Sequence, residues 1–131
     1  HLPPDVFLRR VAEAGFDGVE MNLPFDADAK RHWLRLLKAY GLRFIGQQFE
    51  VLSADIDTHR RDLPRYWENL LDGEPLLINS HTGRDLFSFG QNAELIDMGA
   101  DFSRRHGVRL VHETHRGNFS FAAHVTRPYL D

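Results

Sequence analysis

Val108-Arg109-Leu110-Val111-His112-Glu113-Thr114-His115-Arg116-Gly117 is the stretch on which the reading of this chain turns. A β-branched and aliphatic run leads into a Glu flanked by two His and followed by Arg and Gly. Side chains of a strand alternate between its faces. Val111, Glu113 and His115 therefore share one face, and Leu110, His112 and Thr114 the other. A carboxylate and an imidazole leave the strand end side by side, on a face that is apolar one step earlier. Burying a carboxylate there is costly unless it is paired or bound to a cation. Glu113 is thus the first candidate functional residue.

Working outward from this strand, the same unit recurs. Upstream, Ser88-Phe89-Gly90-Gln91 has the form of a capping box, and a helix is expected from there to His106 with Gly107 as its stop. Residues 76–79 read as a compact buried strand. Residues 57–71 read as a helix that Pro64, lacking an N–H, should kink or restart. Residues 42–51 are a strand candidate. Residues 29–40 form an amphipathic helix capped by Asp26 or Asp28 and closed by Gly41. Residues 19–22 are a short strand, preceded by a helix that starts near Pro3-Pro4 and ends at Gly15. Downstream, Ser120 is expected to cap a last helix over 121–125. Strict alternation with short links implies right-handed βαβ crossovers and an α/β fold with a parallel sheet in one domain over 1–131. Periodicity leaves a three-layer sandwich and a barrel both open, although no Gly-rich dinucleotide loop or P-loop follows any strand.

Composition narrows the function classes. The 131 residues carry 42% hydrophobic and 27% charged side chains, enough for one domain with a core. The formal charge is -3 and the basic residues form no stripe, so no nucleic-acid partner is expected. No apolar run approaches the ~20 residues of a membrane helix, and no membrane partner is expected. There is no Cys, so any metal would be held by His and carboxylate, and a cytoplasmic location is the default. The chain starts at His1, one residue from a helix-start signal, and stops as another helix begins, so it reads as an excerpt of a longer protein.

In parallel α/β folds, function collects at the carboxyl ends of the strands. Every such end here is polar: Glu20 and Asn22; Gln47, Gln48 and Glu50; Asn79, Ser80 and His81; then Glu113, His115 and Arg116. That rim suits a polyhydroxylated ligand or a hard-to-borderline cation. Blander roles compete. His81 could be a turn residue, Glu20 could pair with an Arg, and Glu113 could be neutralised by Arg116 or Arg84. His112 faces away from Glu113 and should be satisfied under the helices. His32, His59, His106 and His124 are expected on helix surfaces. His112-Glu113-Thr114-His115 is not a zinc-protease motif, which needs His at i and i+4 of a helix.

Four segments resemble the sugar phosphate isomerase/epimerase family, whose members have a xylose isomerase-like TIM barrel: Glu13-Ala14-Gly15-Phe16-Asp17-Gly18-Val19-Glu20, Asn79-Ser80-His81-Thr82-Gly83-Arg84-Asp85, Phe87-Ser88-Phe89 and Val111-His112-Glu113-Thr114-His115-Arg116-Gly117. The resemblance runs in order over essentially the whole chain. It implies about half of an eight-stranded barrel, strands two to five, within a protein of about 250 residues. It implies a divalent metal ion (Mn, Mg, Zn or Co) with Glu113 as ligand and as one of two proton-transfer groups, the remaining ligands lying on strands outside these residues. His81, His115, Arg116 and Glu20 would bind substrate, with His81 standing where the related apurinic-site endonucleases place a metal His. The implied chemistry is isomerisation or epimerisation of a sugar or sugar phosphate through an enediolate. The partner is then a small sugar, with a homo-oligomer left open. The 131 residues alone would neither bind metal tightly nor turn over sugar. The alternatives are a metal-dependent phosphodiesterase of the apurinic-endonuclease type and a non-catalytic polyol-binding barrel. Gln47 and Gln48, where such endonucleases carry a His, and the negative charge count against the former.

Overall fold

Helix and strand alternate as the sequence implies. The structure, a computed structural model, describes residues 2–130. The elements are α1 (Pro4–Glu13), β1 (Gly18–Met21), α2 (Ala27–Ala39), β2 (Arg43–Gln48), α3 (Ile56–Leu71), β3 (Ile78–Ser80), α4 (Phe89–His106), β4 (Leu110–His112), α5 (Ala123–Thr126) and a closing 3-10 turn, Arg127–Tyr129. The four strands form one parallel sheet in the order β1-β2-β3-β4. A doubly wound sandwich reverses its strand order at a switch point. Here every right-handed crossover steps the same way, so the helices lie on one face of the sheet. The alternative that periodicity left open is thereby resolved in favour of a barrel segment. No helix among the described residues is long and apolar enough to cross a membrane.

The register assigns the faces. Val19 pairs with Phe44, Gly46 with Ile78 and Ile78 with Leu110, and these residues turn toward the helices. Leu37, Phe44, Leu63, Trp67, Ile78, Leu95 and Phe102 are buried there, with the rings of Trp67 and Phe102 5.5 Å apart. The intervening residues Glu20, Ile45, Gln47, Asn79, Val111 and Glu113 lie on the opposite, inner face.

Local signals explain most element ends. Asp26 caps α2 by accepting from the Ala29 N–H (2.8 Å), and Asp55 caps α3 through Asp57 and Thr58. The Ser88–Gln91 capping box starts α4, and Gly107 ends it at φ 66°, the left-handed conformation a non-glycine residue adopts at a cost. Three expectations fail. Helix α3 runs unbroken through Pro64: Leu63 and Trp67, both fully buried, anchor the turns on each side of the lost hydrogen bond. Ser120 does not cap α5, whose N-cap is Ala122 without a side-chain bond. Its hydroxyl instead donates to the Glu113 carbonyl (2.9 Å). Strand β2 stops at Gln48, short of residue 51, because the Gln48 amide oxygen takes the next three N–H groups, of Phe49, Glu50 and Val51 (3.3, 3.1 and 3.0 Å). That amide orientation satisfies both of its ends.

Candidate functional site

The inner face brings four polar side chains from three strand ends together. Asn79 sits between two carboxylates, and its Nδ2 donates to Glu20 Oε1 and to Glu113 Oε2, each at 2.7 Å. His81 Nε2 approaches the same Glu113 oxygen at 3.0 Å. That approach lies off the N–H direction, so it is an electrostatic contact, and the buried Nε2 has no hydrogen-bond partner among the described residues. The His81 side chain is 11% exposed and that of Glu113 31%, and His81 opens onto a surface cleft. The cleft is lined by Gln47, Phe49, Leu52, His81 and His115. The His115 ring tilts over that of His81, centroids 4.7 Å apart at 34°, and the edge of Phe49 closes on the other side.

Backbone bonds hold this geometry. The His81 N–H donates to the Gln48 carbonyl (2.8 Å) and the Glu113 N–H to the Ser80 carbonyl (3.0 Å). Both residues therefore continue the sheet ladder one step beyond its strands, and Ser120 fixes the Glu113 carbonyl from the following loop. The blander roles can now be judged. Glu20 pairs with Asn79 rather than with an Arg. Glu113 has neither Arg84 nor Arg116 as an ion partner. The Arg84 guanidinium donates to the carbonyls of Gly117 (3.0 Å) and Leu52. Arg116 is exposed and stands apart from Glu113, while its own carbonyl lies 2.7 Å from His115 Nδ1. Of the expected site residues, then, Glu20, His81, Glu113 and His115 converge and Arg116 does not join them.

Sequence reasoning placed Asn79 on the rim but not at its centre. The signal was parity, because it shares a face with Glu113 through the β3–β4 register. Other rim candidates point the opposite way. Gln48 and Ser80 are fully buried on the helix side, where Trp67 Nε1 donates to Ser80 Oγ (3.0 Å) and the Gln48 amide nitrogen donates to Ser80 Oγ and to the His81 carbonyl (3.0 and 3.2 Å). Thr82 Oγ1 lies 3.0 Å from Ser80 Oγ and 2.8 Å from His112 Nδ1. Burial depresses the His112 pKa to about 4, so this imidazole is neutral, satisfied under the helices as expected. Asn22 Nδ2 donates to Glu50 Oε1 (2.7 Å). His59 overturns its assignment to the surface. It is fully buried because it falls one turn before Leu63 on the stripe that continues to Trp67. Its Nε2 reaches the Ser53 carbonyl (2.9 Å).

A metal is a question of donor number. His81 Nε2 and the Glu113 carboxylate are two donors of suitable chemistry, and the buried Nε2 has no hydrogen-bond partner among the described residues. Among the described residues no group of three or more His, Asp or Glu side chains is arranged to hold a metal ion, and two donors are fewer than a closed zinc, magnesium or calcium shell requires. These residues fit a divalent ion only as contributors to a larger set.

No family model matches the chain, and no curated protein matches it. Among solved structures it is similar to the crystal structure of the probable 3-DHS dehydratase AsbF involved in petrobactin synthesis from Bacillus anthracis, with a TM-score of 0.69 and 17% sequence identity over 99% of this chain and 53% of that one. The chain thus spans about half the length of the structure it matches. At that identity the likeness speaks for the fold. Together with the in-order parallel sheet it identifies the architecture as α/β, about half of a TIM barrel.

Proposed function

We propose that this chain carries part of the active site of a metal-dependent TIM-barrel enzyme that isomerises or epimerises a small sugar or sugar phosphate. The observation that carries the reading is one carboxylate oxygen, Glu113 Oε2, held between the Asn79 amide (2.7 Å) and the His81 imidazole (3.0 Å) on an open inner face. Glu113 spends that oxygen on fixed partners, and Oε1 makes no hydrogen bond to another described residue. It is thereby oriented as a base for a proton on carbon next to a carbonyl. His81 stands beside it to orient the carboxylate and to donate to a substrate oxygen. Glu20, fixed by the same Asn79, offers a second acceptor for hydroxyl protons. His115 covers the His81 ring and restricts water at it. A divalent ion held by Glu113, with His81 as a second donor, would polarise the carbonyl and raise the acidity of the neighbouring C–H.

The dehydratase named above favours a second reading, loss of water from a hydroxy-carbonyl substrate. Proton abstraction next to the carbonyl is common to both, and the two diverge only in whether a hydroxyl then leaves. The test is an assay of the whole barrel protein on ketohexoses, ketose phosphates and hydroxy-carbonyl acids, with and without Mn²⁺. Glu113→Gln should lower turnover by about 10²–10⁴-fold, the usual contribution of a positioned acid or base. Unchanged activity and metal content in that variant would remove Glu113 from the site. Water-elimination product would decide for the second reading.

A further inference from the structure

The segment Thr82-Gly83-Arg84-Asp85 contributes no group to the chemistry above, yet it is unusually constrained. Gly83 has φ +63°, and a Cβ there would stand 2.2 Å from Asn92 Oδ1. The space is filled because Asn92, buried on α4, grips Arg84 at both backbone ends. Its Oδ1 accepts from the Arg84 N–H (3.1 Å), and its Nδ2 donates to the Arg84 carbonyl (2.9 Å). The grip aims the Arg84 side chain between two other loops. Nε donates to the Gly117 carbonyl (3.0 Å) and Nη1 to the Leu52 carbonyl. The neighbouring Asp85 N–H also donates to the Gly117 carbonyl (3.2 Å). No carboxylate among the described residues forms a salt bridge with Arg84, so a half-buried guanidinium is spent on backbone oxygens.

Those oxygens belong to the loops that wall the cleft. Leu52 follows Phe49 after β2, and Gly117 follows His115 by two residues after β4. We propose that Arg84 is a positioning residue: it ties the loops after β2, β3 and β4 into one unit and so holds the His115 ring against His81. The planar fork of a guanidinium presents several N–H groups in fixed directions. A lysine ammonium at the end of a flexible stem cannot span both carbonyls in that geometry. The inference rests on the preceding reading for its functional meaning, since His81 and His115 matter most if they flank Glu113. It is tested on ring geometry, so it can fail while that reading stands.

The experiment is NMR of the imidazole protons in wild type, Arg84→Ala and Arg84→Lys, with the His112 ring as an internal reference on the far side of the sheet. Both variants should lose the His81–His115 ring-to-ring NOE and shift both sets of ring signals, while His112 is unmoved. Guanidinium added far below denaturing concentration should restore the NOE in Arg84→Ala. A persistent NOE in Arg84→Ala, or wild-type spectra from Arg84→Lys, would overturn the proposal. So would a folded Arg84→Ala that guanidinium fails to restore, because a general packing role predicts no such rescue. If Arg84→Ala does not fold, Arg84→Lys, which keeps bulk and charge, carries the same test.

Discussion

Gln47 and Gln48, Asn79 and Ser80, Glu113 and His112 are neighbours in sequence and opposites in environment. The even-numbered member of each pair faces the helices, where Gln48 and Ser80 are fully buried and the Trp67–Ser80–Thr82–His112 side chains are linked in sequence at 3.0, 3.0 and 2.8 Å. The odd-numbered member faces inward. There Asn79 bridges two carboxylates, and among the described residues neither carboxylate's second oxygen nor His81 Nε2 has a hydrogen-bond partner across the sheet. One face has consumed its polarity internally, and the other presents it. In a buried network a missing partner exposes the full desolvation cost of the group left behind, whereas on an open face water replaces it. The two faces should therefore answer mutation differently, one in stability and the other in chemistry.

The largest effect expected on the inner face is the 10²–10⁴-fold loss of turnover for Glu113→Gln, and the contrast adds a condition to it. The same variant should unfold at an unchanged or higher urea concentration, since it removes one of two carboxylates sharing Asn79. Functional groups are commonly held at some cost in stability. A Glu113→Gln protein that is both inactive and clearly destabilised would make Glu113 a structural residue and break the comparison. On the helix side, Ser80→Ala leaves the buried Trp67 N–H without its acceptor and should cost about 1–3 kcal/mol. Asn79→Ala, one residue away, should cost under about 1 kcal/mol because water reaches both carboxylates. Urea unfolding of the two variants side by side tests this, and equal losses would refute the distinction.

Part of this division was legible in the sequence and part was not. The period-two alternation of Val111, Glu113 and Leu110, His112 separated the faces of β4 correctly, and the Ser88–Gln91 and Gly107 signals bounded α4 because capping is local. Gln48 and Ser80 were read as rim residues because their polarity was weighed ahead of their parity. They share it with Phe44, Gly46, Ile78 and Leu110, the apolar face. The bond from Asn79 to both Glu20 and Glu113 spans three strands, and only strand order could have disclosed it. His59 was missed for a related reason: its type suggested surface, while its spacing to Leu63 and Trp67 marked it as core.

His59 supplies a smaller test of the helix side. Its Nε2 is engaged by the Ser53 carbonyl and its Nδ1 is buried without a hydrogen-bond partner among the described residues, so protonation would place a new N–H where none of them accepts it. Burial is the leading cause that lowers its pKa. The sign follows. The unfolded chain takes the proton more readily, so the stability linked to His59 is complete above the unfolded pKa near 6.5 and is lost as pH falls toward the lowered folded value. The loss cannot exceed about 1.4 kcal/mol per pH unit for one group. Urea midpoints measured from pH 7 to pH 5 should fall, and His59→Phe, which preserves the packing against Phe87, should lessen that decline, the buried His112 with its pKa near 4 supplying the remainder. The carboxylates of Asp55, Asp62 and Glu94 are held below the usual carboxylate range by hydrogen bonds from Thr58, Arg61 and Arg60 respectively. They add their own losses at lower pH, outside this window.

Arg116 gives the smallest effect and the sharpest limit on the inner face. It lies three residues from Glu113 and was expected either to neutralise that carboxylate or to hold substrate. It stands exposed and apart from Glu113, and only its backbone carbonyl engages the loop, through His115 Nδ1. A surface side chain with no ion partner contributes within about 0.5 kcal/mol, so Arg116→Ala should leave the urea midpoint unchanged. If the guanidinium meets an anionic group of the substrate, the variant should raise KM for a sugar phosphate and leave KM for the neutral sugar alone, with kcat little altered in both cases. Equal KM values for the two substrates in wild type and variant would confine the working site to Glu20, Asn79, His81, Glu113 and His115, the residues that the two faces of the sheet already separate from the rest.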